Sequence, residues 1–453
     1  MTNSQGKKQM RMPAPAPAAT AAALFATAGT ALAQDGPKID TGDTAWMLTS
    51  TALVLLMTIP GLALFYAGMV RKKNVLATMM QSFAVCALVT LVWIVVGYSL
   101  AFGEGNAWMG DFSKVLLMHL ADGWDKPFTL GSGDAAVATT IPETVFIMFQ
   151  MTFAIITPAL ITGAFADRMK FSAMCVFMVL WSVLIYAPVA HWVWHPNGWI
   201  FALGALDFAG GTVVHINAGV AGLICAIVLG RRVGYGHDNM APFNLSLAVI
   251  GAALLWVGWF GFNAGSAVGA GARAGMAMLV TQAAAAAAAL TWMFAEWATK
   301  GKPSVLGAIS GAVAGLVAIT PASGFVLPLP ALIIGGVAGL AGFWGATALK
   351  KMLKYDDSLD AFGVHGVCGI VGSLLTGVFA YGALSATTGT PAGYGGSLDQ
   401  FLIQIYATVA VFAFSAIGTF ILLKVTDVMV GLRVAEEEER EGLDVTQHGE
   451  RLA

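Results

Sequence analysis

Eleven apolar stretches of about 20 residues dominate this chain. They start near Trp46, Leu76, Pro142, Phe171, Phe208, Phe243, Ala274, Ser304, Leu329, Ala361 and Leu398. Twenty apolar residues in a helix cross the hydrocarbon core of a bilayer. Inside lipid every backbone amide needs an internal partner, so stretches of this length can only be helices. The composition agrees, with 58% hydrophobic and 11% charged residues against about a quarter charged in soluble domains. The expected fold class is an all-α membrane protein with eleven transmembrane helices, which excludes a soluble enzyme. There is no basic stripe for nucleic acid and no Cys/His spacing suited to zinc. Cys86, Cys175, Cys225 and Cys368 sit in apolar runs and read as small core residues. Catalytic residues, metal and cofactor are all expected to be none.

The first apolar run is shorter and differently flanked. Lys7, Lys8 and Arg11 precede an Ala-rich segment ending in Ala31-Leu32-Ala33. That is the pattern of a cleaved leader over residues 1–33, with an uncleaved first helix as the alternative. Loop charge then orients the rest. Arg71, Lys72, Lys73, Arg168, Lys170, Arg231, Arg232, Lys300, Lys302, Lys350, Lys351 and Lys354 follow the odd-numbered spans, and Lys424, Arg433, Arg440 and Arg451 lie at the end. Only Lys38, Lys114, Lys126 and Arg273 fall on the other side. The positive-inside rule puts the N-terminus outside, the C-terminus in the cytoplasm and the chain in a bacterial inner membrane. Gly103–Ile141 reads as a folded outer flap.

Three short matches repeat in order. Phe65–Gly68 (FYAG) echoes Phe262–Gly265 (FNAG). ITPA occurs at Ile156–Ala159 and Ile319–Ala322. VHINAGVAG at Val214–Gly222 echoes VHGVCGIVG at Val364–Gly372. Each joins a span to the one five later, so the second copy is inverted. A five-plus-five inverted repeat with an eleventh helix outside it points to transport, with the path between the halves. The chain then divides into the leader, an outer N-terminus at 34–45, a first repeat at 46–230 and a cytoplasmic linker at 231–242. A second repeat follows at 243–383, then an outer loop and last helix at 384–428 and a cytoplasmic tail at 429–453.

The repeat pairs His215 with His365. Ionisable groups within a membrane are expensive and face a bundle interior or a pathway, so both are expected to line a pore. Glycines four and seven residues after each histidine share its helical stripe and permit close packing. Asp207 opens the His215 helix. It is either an N-cap or a cation-attracting carboxylate, and both roles are compatible. Phe149 and Phe153 are one turn apart, as are Phe262 and Ser266. Trp192, Trp194 and Trp199 mark the outer end of the fourth span. Aromatic faces and one hydroxyl suit a small cation that can shed a proton, whereas calcium takes 6–8 oxygen ligands.

The segments Gly204–Leu223, Trp256–Ala267, Gly315–Val326 and Asp356–Gly372 resemble the Amt/Mep/Rh ammonium transporter family, on its bacterial Amt side. The resemblance spans nearly the whole chain after the leader. It implies a homotrimer with one narrow pore per protomer, carrying ammonium or ammonia and in some members methylammonium. It implies an outer ammonium site of Phe149, Phe153, Trp194 and Ser266 and a phenyl gate of Phe153 and Phe262. His215 and His365 would be twin pore histidines, Trp259 part of the pore wall and Asp207 an aid to recruitment. Deprotonation of the recruited ion and electrogenic net passage are implied as well. His195-Pro196-Asn197 stands where family members carry a glycine-rich run, which leaves Trp192 as an alternative to Trp194. The tail from Gly431 is acidic and would be solvated by composition alone. The resemblance implies an ordered segment linking protomers and docking a PII-type signalling protein. A membrane ammonium sensor and a neutral-gas channel of the Rh type are the competing readings.

Overall fold

The computed structural model describes residues 1, 38–133, 136–385 and 395–452. Apart from Met1, the leader proposed at 1–33 lies outside the described residues.

Among the described residues, ten helices are long and apolar enough to cross a membrane. They are α1 (Thr41–Met69), α2 (Lys72–Phe102), α3 (Glu143–Phe165), α4 (Phe171–Ala202), α5 (Gly211–Leu229), α6 (Leu245–Gly265), α7 (Ala272–Lys300), α9 (Pro328–Leu353), α10 (Phe362–Phe379) and α11 (Leu398–Val430). The remaining apolar helix, α8 (Val305–Ile319), has 15 residues and reaches only about 22 Å at 1.5 Å per residue. It stops because Pro321 follows and a proline removes an amide donor.

One departure from an all-helical chain lies in the outer flap. Strands β1 (Pro127–Leu130) and β2 (Val137–Pro142) form an antiparallel hairpin. A hairpin has open edges, which water satisfies outside the hydrocarbon but lipid would not.

α3 and α5 are the most enclosed of the long helices, at 83% and 78% of their apolar windows buried, against 33% for α9 and α11. Helices apolar on all sides are buried where they meet protein and face lipid elsewhere. The interior is therefore built around α3, α5 and α10, with α9 and α11 outermost. α5 and α10 begin alike. Each opens with a π-helical stretch holding its histidine, Gly211–Ile216 and Phe362–Gly366. Each is closed at its first turn by an aspartate eight residues upstream. Asp207 accepts from the amides of Gly210 (2.8 Å), Gly211 (2.6 Å), Thr212 (2.8 Å) and Val213 (3.2 Å), and from the Thr212 hydroxyl. Asp357 accepts from Ala361 (3.1 Å) and Phe362 (2.8 Å). The two helices cross at small residues. A Cβ on Gly219 would run into the Gly366 backbone, and one on Gly369 would press on Ile216 and His215.

The basic loops after α1, α3 and α5 converge at one end of the bundle with the acidic segment after α9. Arg71 pairs with Asp167 at 3.0 Å and Arg232 with Asp356 at 2.8 Å. Arg168 donates to the Asp356 carbonyl at 2.6 Å. Burial lowers the Arg168 guanidinium to about 10, with Asp356 opposing. Burial raises the Asp357 carboxyl above its usual range despite Lys350. The tail packs on the same end as α12 (Glu436–Glu441) and α13 (Leu443–His448).

Candidate functional site

An open outer space and a small inner one meet at one pair of rings. The outer space is a vestibule of about 650 Å³ lined by Phe149, Phe153, Trp194, Asp207 and Ser266, with the β1–β2 hairpin over it. The inner space is about 10 Å³ and is lined by Phe262, Trp259, His215, His365 and apolar side chains of α1, α3 and α8. Ten cubic ångströms is the room of one water-sized molecule. Phe153 faces the first space and Phe262 the second, with ring centroids 4.2 Å apart.

The aromatic wall is continuous. Phe149 and Phe153 lie 4.9 Å apart on successive turns of α3. Trp194 meets the Phe153 ring edge-on at 5.7 Å. Its indole donates to the Asp207 carbonyl at 3.0 Å, so the wall and the α5 cap are tied together. Trp192 instead packs against Trp108, Trp199 and Phe414, which removes it as an alternative lining residue. The His195–Gly198 turn is pulled outward. Asn197 donates to the Glu104 carbonyl at 3.1 Å, and the His195 ring stacks on His191 at 4.6 Å. None of the turn enters the vestibule lining.

Ser266 ends α6 and donates its hydroxyl to the Phe262 carbonyl at 2.8 Å. A hydroxyl has one hydrogen, so only its lone pairs face the vestibule. Gly210 holds the N-cap position, and Asp207, three residues before it, is buried and closes the first turn from there, with both oxygens filled by first-turn donors. It borders the vestibule without a spare oxygen.

Beyond the phenyl pair the histidines meet. Their Nδ1 atoms are 3.4 Å apart and their rings lie 19° from parallel. One Nδ1–H donates to the other Nδ1, which fixes opposite tautomers. The donor ring then has a bare Nε2 and the acceptor ring an Nε2–H. His215 also stacks on Trp259 at 5.4 Å and on Phe262 at 5.9 Å. Trp259 is held by a hydrogen bond from outside its own motif. Its indole donates to the Thr320 hydroxyl at 2.9 Å, Thr320 spends its one hydrogen on the Leu316 carbonyl at 2.8 Å, and Asn263 nearby donates to Thr281 at 2.9 Å. The repeated ITPA motif carries Thr320 and was the available signal. Asp357 was equally legible, because it precedes His365 by the same eight residues that separate Asp207 from His215. No group of three or more metal-ligating side chains occurs among the described residues.

Phe149, Phe153, Trp194, Ser266 and Asp207 line the outer space, and Phe262, Trp259, His215 and His365 the inner one. The profile describing the Ammonium Transporter Family matches residues 45–452. An ammonium transporter of Aquifex aeolicus is 50% identical over 422 residues, covering 91% of this chain and 94% of that one. One from Bacillus subtilis is 50% identical over 414 residues, covering 90% and 98%. Among solved structures, Candida albicans Mep2 superposes with a TM-score of 0.80 at 34% identity, covering 88% of each chain. A protein described as a sensor Amt protein superposes at 0.81 and 29% identity, covering 90% and 98%. With the family profile matched over residues 45–452 and relatives half identical across nine-tenths of the chain, the chain is a member of the Ammonium Transporter Family.

Proposed function

We propose that the chain takes up ammonium at the vestibule and conducts it past the phenyl pair as ammonia, the N–H proton passing to the bare Nε2 of one pore histidine while the partner ring releases its Nε2 proton, so that NH3 and one charge cross per molecule. The carrying observation is the pairing of two unlike spaces across Phe153 and Phe262. The outer one offers what a cation needs. Aromatic faces contribute roughly 1–2 kcal/mol each when desolvated, and the Ser266 oxygen accepts one N–H. The inner one offers what a neutral amine needs, namely a dry wall and imidazole nitrogens that accept or donate a single hydrogen bond. An intact cation there would lose its hydration with no carboxylate to replace it. The transferred proton leaves NH4+ as NH3. The unlike Nε2 atoms and the Nδ1–Nδ1 bond supply a place where a proton can be taken up on one ring and released from the other.

The same proposal includes eleven crossings, with α8 completing its crossing through the irregular segment at Thr320–Phe325, and an inverted relation between α1–α5 and α6–α10. The matched π-helical starts and matched aspartate caps of α5 and α10 support that relation. It also includes a homotrimer in a bacterial inner membrane, N-terminus outside and tail inside, with the tail face offered to a PII-type protein.

Solid-supported-membrane currents from proteoliposomes test it, ammonium against potassium. Ammonium should evoke a saturable current and potassium none. His365→Ala should lower the ammonium current at least tenfold while the oligomer, measured by size-exclusion with light scattering, is unchanged. An unaltered current removes the pore role. The likeness to a sensor Amt protein keeps one second reading in view. Ammonium binding by wild type without current would favour the sensor, and ammonia flux without current the neutral-gas channel.

A further inference from the structure

A positive charge stands at the mouth of a site read above as cation-attracting. Arg273, the second residue of α7, lines the vestibule. Its guanidinium carbon sits 4.9 Å from the Phe208 ring and 5.1 Å from the Phe325 ring, in the corner those phenyls make. Its Nε donates to the Gly324 carbonyl at 3.2 Å. The planar guanidinium is thereby held in one place by stacking and a directed bond. Phe208 directly follows Asp207, so the charge is fixed beside the rim of the path.

The acidic residues lining the same space are Asp43 and Asp207. Both are engaged. Asp43 accepts from the Ala270 amide at 2.7 Å and the Thr140 hydroxyl at 2.5 Å, and Asp207 closes α5. They remain negative charges in a low-dielectric mouth, which attracts any cation and a divalent one most. Arg273 is the basic residue among the described lining residues. Its repulsion scales with the charge of the arriving ion, so a penalty factor for a monovalent ion is squared for a divalent one.

We propose that Arg273 is a specificity-determining residue: it keeps divalent cations from occupying the mouth at a small cost in ammonium recruitment. This rests on the vestibule being the ammonium entrance. The test is a charge series, Arg273→Lys and Arg273→Gln, in proteoliposomes with and without millimolar magnesium chloride. Arg273→Gln should lower the ammonium half-saturation roughly two- to fivefold. Inhibition by magnesium should strengthen by the square of that factor, roughly 4- to 25-fold. Arg273→Lys should stay within about twofold of wild type, and high ionic strength should erase the differences. A purely structural clamp predicts something else. Both variants would lose maximal current alike or fail to assemble, with no new magnesium block, and that result overturns the proposal. Unchanged half-saturation and magnesium response in a conducting Arg273→Gln protein overturns it too. A wild type without ammonium current would sink the transport reading itself.

Discussion

Ser266 spends its only hydrogen on Phe262, so its oxygen faces the vestibule as a pure acceptor. That orientation suits an N–H of ammonium and disfavours a ligand needing a donor. A hydrogen bond to a charged group contributes about 1.5–3 kcal/mol, and 1.4 kcal/mol is tenfold in affinity. Ser266→Ala should therefore raise the ammonium half-saturation roughly tenfold or more. Maximal current should change little, because the later steps lie past the phenyl pair. Ser266→Thr keeps the oxygen and should restore most of the affinity. Equal half-saturation in Ala and Thr variants would show that the hydroxyl does not touch the ion. His215 and His365 illustrate a different point at this scale. Their 3.4 Å contact makes each ring's tautomer a function of the other's, so replacing either one alters both.

The crossing of α5 and α10 sets how narrow the path is. A Cβ on Gly219 would meet backbone atoms of Gly366, including its Cα at 2.5 Å, whereas one on Gly369 comes no nearer than 3.1 Å to the Ile216 side chain and 3.2 Å to His215 and the Ile216 nitrogen. Backbone cannot step aside as a side chain can. Gly219→Ala should cost about 1–3 kcal/mol as overpacking and depress transport, and Gly369→Ala should do less of both. Thermal unfolding in detergent and current measurement check the order, and the reverse order would mean the helices part easily. Much of this level was legible in the sequence. V-H-x-x-x-G-x-x-G in both halves placed the histidines and the glycine stripe together, because period and polarity are local properties. The Trp259–Thr320 and Asn263–Thr281 bonds were not legible. Their members come from different helices, and a hydroxyl in an apolar run looks the same whether it bonds its own helix or a neighbour. Arg273 was visible only as an exception to the loop-charge bias, since its phenyl partners are brought in by the loops after α4 and α8. The β1–β2 hairpin was hidden because a flap outside the bilayer carries no apolar periodicity to read.

Across the whole molecule, one end is fastened by charge. Burial alone would raise the Asp356 carboxyl, but Arg232 overcomes it through bonds of 2.9 and 2.8 Å and holds it below its ordinary value of 3.8. A depressed carboxylate contributes stability above its unfolded value and loses it as pH falls through the folded one. This fastening should leave the unfolding temperature flat from about pH 8 to 5 and weaken only below about 4. Removing the pair with Arg232→Gln should shrink that acid limb, with Arg168 still favouring the Asp356 carboxylate. The tail is tied to the same end through Glu439, which accepts from the Val233 amide at 2.6 Å and from Arg433 at 2.8 Å. Arg433 also donates to the Leu229 carbonyl at 2.8 Å, the last residue of the helix that carries His215. Lys73, after α1, reaches the Glu439 carbonyl at 2.9 Å. A change in the tail thus has a short mechanical route to a pore helix. Glu439→Ala leaves Arg433 half-buried without its carboxylate and removes a buried charge-assisted bond of about 1.5–3 kcal/mol. Amide exchange at Ala77 and Leu443, whose amides are held by Asp444 and Asn74, should accelerate roughly tenfold or more. If the tail acts on α5, maximal current should shift in the same variant while half-saturation stays, because the vestibule lies at the opposite end. Faster exchange with an unchanged maximum would mean that the tail is fastened to the transporter without being wired to its pore.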